Sequence, residues 1–154
     1  MATAVTYHVG PRRYVVDASV VLKWQLGDED DVEQALALRD AYLVDRAVEL
    51  HAPMLLAYEL TSAMRTAERR ARVPSELASE ALDNLLESGI MLHEPTPSET
   101  LRLARRLGIS GYDAAYVALA ADLGVECWSA DERLVRAAAE HVGYVRSIRE
   151  YAAR

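Results

Sequence analysis

The chain has 154 residues, is 51% hydrophobic and 27% charged, and carries a formal net charge of −7. That composition suits one ordinary globular domain with one core, excludes a membrane span for want of about 18 uncharged apolar residues in a row, and argues against a generic basic nucleic-acid binder. The N-terminus has no basic region followed by an apolar stretch, and the single cysteine, Cys127, rules out an internal disulfide; the expected location is the cytoplasm.

Residues 1–12 read as an N-terminal extension past Gly10-Pro11, and 13–154 as a single domain. The apolar run Tyr14-Val15-Val16 predicts a strand near 13–17, closed by Asp17. Ser19 is placed to cap a helix that stops around Gly27. Asp28-Glu29-Asp30-Asp31 follows as an acidic loop or first helical turn, a charge that suits a helix N-terminus. Ala35, Leu38 and Tyr42 give helical spacing over 32–47. A short strand over 48–52 ends at Pro53, and a long helix follows from about 54 to 71, with Glu59 about two turns in. A further helix opens at Pro74-Ser75 and stops at Gly89.

Ile90-Met91-Leu92 reads as a strand, and 94–97 as a loop. A helix over Ser98–Leu107 ends at Gly108. Ser110 then caps a helix to Leu123, with Asp113 in its first turn; Tyr112, Tyr116, Leu119 and Leu123 follow helical spacing as core positions. Val125 to Trp128 is strand-like, Asp131 is placed to cap a helix over 132–141, and Tyr144-Val145 reads as a last edge strand. Strands alternating with helices predict an α/β fold: three layers, with a mainly parallel central sheet of about 4–5 strands flanked by helices.

Four acids in this frame carry the chemistry: Asp17, Glu59, Asp113 and Asp131. Each sits in an apolar segment that holds no basic residue. A buried carboxylate is costly unless paired or metal-bound. Ligands of such a sheet collect beyond the carboxyl ends of its strands, where Asp17 and Asp131 fall. Each acid alone has a plainer use: Asp17, Asp113 and Asp131 as caps, Glu59 on a polar helix face. Their conjunction points to a pocket for a hard divalent cation and to phosphoryl hydrolysis. The basic clusters Arg65, Arg69, Arg70, Arg72 and Arg102, Arg105, Arg106 read as solvated helix faces, with phosphate contact as the other reading. His8, His51, His93 and His141 fall outside the acidic motifs and read as structural or surface groups. Trp24 reads as core or dimer packing rather than a base-stacking platform.

The segment Val15-Val16-Asp17-Ala18-Ser19-Val20-Val21-Leu22-Lys23-Trp24 resembles the opening of PIN-domain ribonucleases, most closely the VapC-type toxins of toxin–antitoxin pairs. Tyr58-Glu59-Leu60, Gly111-Tyr112-Asp113-Ala114-Ala115-Tyr116 and Trp128-Ser129-Ala130-Asp131 match the later motifs of that family in order and spacing. The resemblance covers about residues 13 to 147. It departs at the N-terminal extension, at Ser62, where Asn is frequent, and in the short loop after Trp24.

The resemblance implies a Mg²⁺ site, with Mn²⁺ able to substitute. Asp17 and Asp113 would be its principal ligands, and Glu59 and Asp131 would complete the pocket. Ser19 and Ser129 would orient Asp17 and Asp131; ordinary capping is the other use of these serines. It further implies an endoribonuclease, the toxin of a type II pair, with RNA as substrate, a small antitoxin as partner, a homodimeric state and no membrane association. The alternative is a catalytically inactive PIN-like binding or assembly module. A receiver-like phosphotransfer domain fits poorly, because position 19 is Ser and no Lys follows Lys23.

Overall fold

The computed structural model describes residues 10–153. Residues 1–9 of the expected N-terminal extension lie outside the described residues. Strand β1 (Arg12–Val16) leads into a short helix α1 (Ala18–Val21) and a 3-10 turn, Leu22–Trp24. Then come α2 (Val32–Leu43), β2 (Val48–Pro53), α3 (Leu56–Arg69), α4 (Ser75–Leu86), β3 (Met91–His93), α5 (Pro97–Leu107), α6 (Gly111–Leu123), β4 (Glu126–Ser129), α7 (Glu132–Ala139) and β5 (Val145–Ser147).

The five strands form one parallel sheet in the order β3-β2-β1-β4-β5. The expected α/β architecture, with its parallel sheet and flanking helices, is the one observed. Central β1 pairs with β2 on one side, Val15 opposite His51, and with β4 on the other, Val16 opposite Trp128. From β1 the chain winds first toward β2 and β3, and later toward β4 and β5. The change of direction opens a crevice beyond the carboxyl ends of β1 and β4.

Val15, Val16, Leu50, Ala52 and Cys127 fill the middle of the sheet. Helix α6 packs on β1, β2 and β4, and its run Ala114–Ala120 is wholly buried. A helix enclosed on all sides has no polar face to show, which is why the sequence is apolar all round here. Gly108, at φ +66, ends α5 in the left-handed conformation. The chain can therefore reach Ser110, whose hydroxyl accepts the Asp113 N–H at 3.0 Å and starts α6.

Several boundaries differ from the sequence expectation, for local reasons. Helix α2 ends at Leu43 rather than near 47, because the connection to β2 turns through Arg46 at φ 56. Helix α3 ends at Arg69, ahead of Ala71 at φ 53. The first helix is broken at Trp24, well before Gly27. Tyr112, expected in the core, is 72% exposed; it occupies the open face of the first turn of α6, whereas Tyr116 and Leu119 are buried as expected. Trp24 is core: it donates to the Ala35 carbonyl at 3.0 Å and stacks on Tyr42. Among the described residues no helix is long and apolar enough to cross a membrane.

Candidate active site

Asp17 follows the last residue of β1 in extended conformation and occupies the N-cap position of α1, yet its side chain makes no capping bond. Its backbone carbonyl starts the helix instead, accepting from Val20 N at 3.0 Å. The carboxylate is thereby left to another use. It is 5% exposed, and its Oδ2 accepts two hydroxyl donors, Ser19 Oγ at 2.6 Å and Ser129 Oγ at 2.8 Å.

Ser19 is not the cap expected from its position. It lies inside α1, donates to Asp17, and accepts the Ala130 N–H at 3.0 Å. Ser129 ends β4, donates to Asp17, and accepts the Asp131 N–H at 3.0 Å. The two serines therefore tie the end of β1 to the end of β4, and both orient Asp17. Their connection to Asp131 runs through its backbone, not its carboxylate.

Asp131 does cap α7: its Oδ1 accepts from Arg133 N at 2.9 Å and from Leu134 N at 3.4 Å. Its Oδ2 faces the Arg133 guanidinium at 3.5 Å. Asp113, held in the first turn of α6, lines a depression of about 300 Å³ together with Asp131, Arg133, Ser110 and the backbone after α5. Glu59 stands in the first turn of α3, one turn earlier than expected. Its Oε1 accepts from Tyr116 Oη at 3.0 Å.

The electrostatics link the four acids. Burial pushes the Asp17 carboxyl above its ordinary range, the hydroxyls of Ser19 and Ser129 oppose this, and the charges of Asp113 and Asp131 add to it. Glu59 is pushed up to about 7, by burial first and then by the Asp17 charge, against the lowering effect of the Tyr116 hydroxyl. Burial and the charges of Asp17 and Glu59 likewise hold the Tyr116 phenol protonated. Cys127, buried beneath, is also pushed up by burial and by Asp17. The tertiary structure thus brings all four expected acids into one electrically coupled group centred on Asp17. Among the described residues, no three His, Cys, Asp or Glu side chains stand close enough to hold an ion unaided.

Two residues gain roles that sequence reasoning did not assign. Tyr116 is a core residue, as expected, but its hydroxyl is spent on Glu59. The available signal was a lone tyrosine in a run of alanines and valine, since a buried phenol needs a partner. Arg133 is the cation at the rim, signalled only by its place two residues after Asp131. The histidines stay outside the site. His51 and His93 share a hydrogen bond at 2.9 Å between β2 and β3, and His8 lies outside the described residues. A larger groove of about 1000 Å³ adjoins the site, lined by Met54, Leu55, Pro95, Leu101 and Tyr112.

Residues 14–140 match the PIN domain family. The chain is 32% identical over 126 residues to Ribonuclease VapC3 of Pyrobaculum aerophilum, a match covering 79% of this chain and 92% of that protein. It is 30% identical over 125 residues to Exonuclease VapC9 of the same organism, covering 81% and 85% respectively. The fold is similar to the crystal structure of PAE2754 from Pyrobaculum aerophilum, with a TM-score of 0.67 over 90% of this chain and 92% of that one, at 24% identity.

Proposed function

This chain belongs to the PIN-domain family, and from that premise we propose that it is a metal-dependent endoribonuclease, the toxin of a type II toxin–antitoxin pair. The observation that carries the reading is the Asp17 carboxylate, buried at the switch point of the sheet with two hydroxyl donors and three neighbouring acids. Such an arrangement is unfavourable in isolation and is relieved by a cation.

The donors are hard carboxylate oxygens, few in number and not closed into a cage. That fits Mg²⁺, with Mn²⁺ as substitute, because Mg²⁺ keeps several waters and takes only one or two carboxylates. Asp17 and Asp113 would hold it; Glu59 and Asp131 would complete the pocket. A cation held there would supply neutralisation of phosphodiester charge and would make water more acidic.

The chain's own groups do the rest. Ser19 and Ser129 fix the orientation of Asp17. Glu59, ionised when a cation is held beside it, can accept a proton from the attacking water and release it afterwards, while the Tyr116 hydroxyl donates to its carboxylate and holds it in place. The Ser129–Asp17 and Ala130–Ser19 bonds keep the end of β4 in register with that of β1, and the Asp131 cap fixes the start of α7 behind them. The expected partners are a small antitoxin that covers the acidic pocket and a second copy of the chain; the apolar groove beside the site has the character of a protein-binding face. A cytoplasmic location goes with this reading.

The test is cleavage of a mixed RNA pool, including a circular single-stranded RNA, with Mg²⁺, with Mn²⁺ and with EDTA, beside the Asp17→Asn variant. Metal-dependent opening of the circle, absent in the variant, is the expected result. Cutting of linear RNA alone would shift the reading to an exonuclease. No cutting by folded, antitoxin-free protein would favour the non-catalytic binding module.

A further inference from the structure

We propose that Arg133 is a substrate-binding residue, whose guanidinium exchanges the Asp131 carboxylate for an RNA phosphate beside the bond being cut. The inference rests on the nuclease reading and adds a named contact and a side of approach to it. A site built from four acids repels a polyanion, so the substrate needs a cationic foothold at the rim. Among the described residues, Arg133 is the only cationic side chain lining the depression that holds Asp113 and Asp131.

Its present contact is loose. The Arg133 side chain is 86% exposed and its guanidinium meets Asp131 Oδ2 at 3.5 Å, long for a charge-assisted bond, which normally lies at about 2.7–2.9 Å. The fold does not need this contact, because Asp131 is fixed through its other oxygen by the N–H groups of Arg133 and Leu134. Removing the Arg133 side chain therefore leaves the α7 cap intact. A guanidinium offers a planar fork that matches two phosphate oxygens, so a phosphodiester arriving in the depression competes well for it.

Further exposed arginines lie on the two helices whose residues line the depression or adjoin its lining. Arg136 lies one turn further along α7, and Arg105 lies near the end of α5, both exposed. The residues after α5, Gly108, Ile109 and Ser110, line the depression together with Leu134 and Ala137 of α7. An RNA strand approaching over α5 and α7 would find exposed arginines on both helices. The larger apolar groove on the side of Tyr112 offers no such charges.

The experiment measures binding of a single-stranded RNA by Asp17→Asn protein, which does not cut, across a range of salt. Arg133→Ala, Arg133→Lys and Arg12→Ala are each added to that background. Arg12 opens β1, at the opposite end of the strand from Asp17, and serves as the charge-matched control. Arg133→Ala should bind roughly tenfold more weakly, as for one lost charge-assisted hydrogen bond. Its log–log salt slope should fall by about 0.7, the value for one phosphate contact on a single strand. Arg133→Lys should keep the slope and lose part of the affinity, and Arg12→Ala should change neither. Equal affinity and slope for Arg133→Ala and its parent, with the wild-type protein cutting RNA, would overturn this inference and leave the nuclease reading standing. Wild-type protein that neither cuts nor binds RNA would overturn both.

Discussion

The molecule has two concentrations of acid, and they are built in opposite ways. In the loop before α2, Asp28 receives two bonds from Arg72 at 2.6 and 3.0 Å, and Glu29 receives Arg72 at 3.1 Å and Lys23 at 3.0 Å. Asp31, which stands at φ 60 ahead of α2, receives Arg149 at 2.8 Å. At the candidate site, Asp17 has only hydroxyl donors, Glu59 a phenol, and Asp131 two backbone N–H groups beside the loosely held Arg133 guanidinium. Asp28 is accordingly held below its ordinary range by Arg72, whereas Asp17 and Glu59 are pushed up. A carboxylate with a cation beside it is a structural tie. A buried carboxylate that faces other carboxylates is a demand for a cation that the chain does not supply.

The largest effect expected from breaking this contrast is at Asp17. Asp17→Asn should lower cleavage at least about a hundredfold, the upper end of what even the outer partners of metal ligands contribute. The same change should raise the melting temperature of the metal-free protein by a few degrees, about 1 kcal/mol. The amide oxygen can take the Ser19 and Ser129 donors while one of the repelling charges is removed. A lower melting temperature would show that the Asp17 charge is structural.

Next comes the pH dependence, in which the two regions should move in opposite directions. Glu59 has a folded-state pKa of about 7 against an ordinary 4.5, so between those values the folded protein binds more protons than the unfolded one. Stability of the metal-free protein should therefore fall as pH rises from about 4.5 to 7. Mg²⁺ should flatten that slope by favouring the ionised carboxylates, and Glu59→Gln should remove the Glu59 share of it. Asp28, held low, contributes stability that is lost only as pH falls below its ordinary 3.8. Thermal melts across pH, with and without Mg²⁺, read both limbs.

Tyr116→Phe should act more gently. The phenol lowers the Glu59 pKa, so its loss should move the rising limb of the cleavage–pH profile to higher pH and reduce activity near neutrality by no more than about tenfold. An unmoved profile would remove Glu59 from proton transfer. The smallest effect belongs to the paired loop. Arg72→Ala should change the melting temperature little and leave cleavage unchanged, since exposed ion pairs contribute little; a loss of cleavage there would tie the loop to the site.

The sequence by itself determined the alternation of strands and helices, the parallel sheet and the four acids worth attention. Periodicity, glycine stops and apolar runs are local, and they fix those elements wherever the chain goes afterwards. A strand-end acid or a first-turn acid, however, reads the same whether it caps a helix or faces a crevice. Asp131 and Asp17 occupy equivalent N-cap positions, yet only the Asp131 side chain caps. That difference came from the pairing of β1 with β4, which sets Ser129 beside Asp17 across 112 positions of sequence. The positions of Tyr112 and Tyr116 were equally undecidable from spacing, since both are aromatic residues on one helix. Packing of α6 against the sheet buried one onto Glu59 and left the other in solvent. Burial and charge coupling depend on neighbours distant in sequence, so the tertiary structure alone decided which acids are tied and which are left asking for a cation.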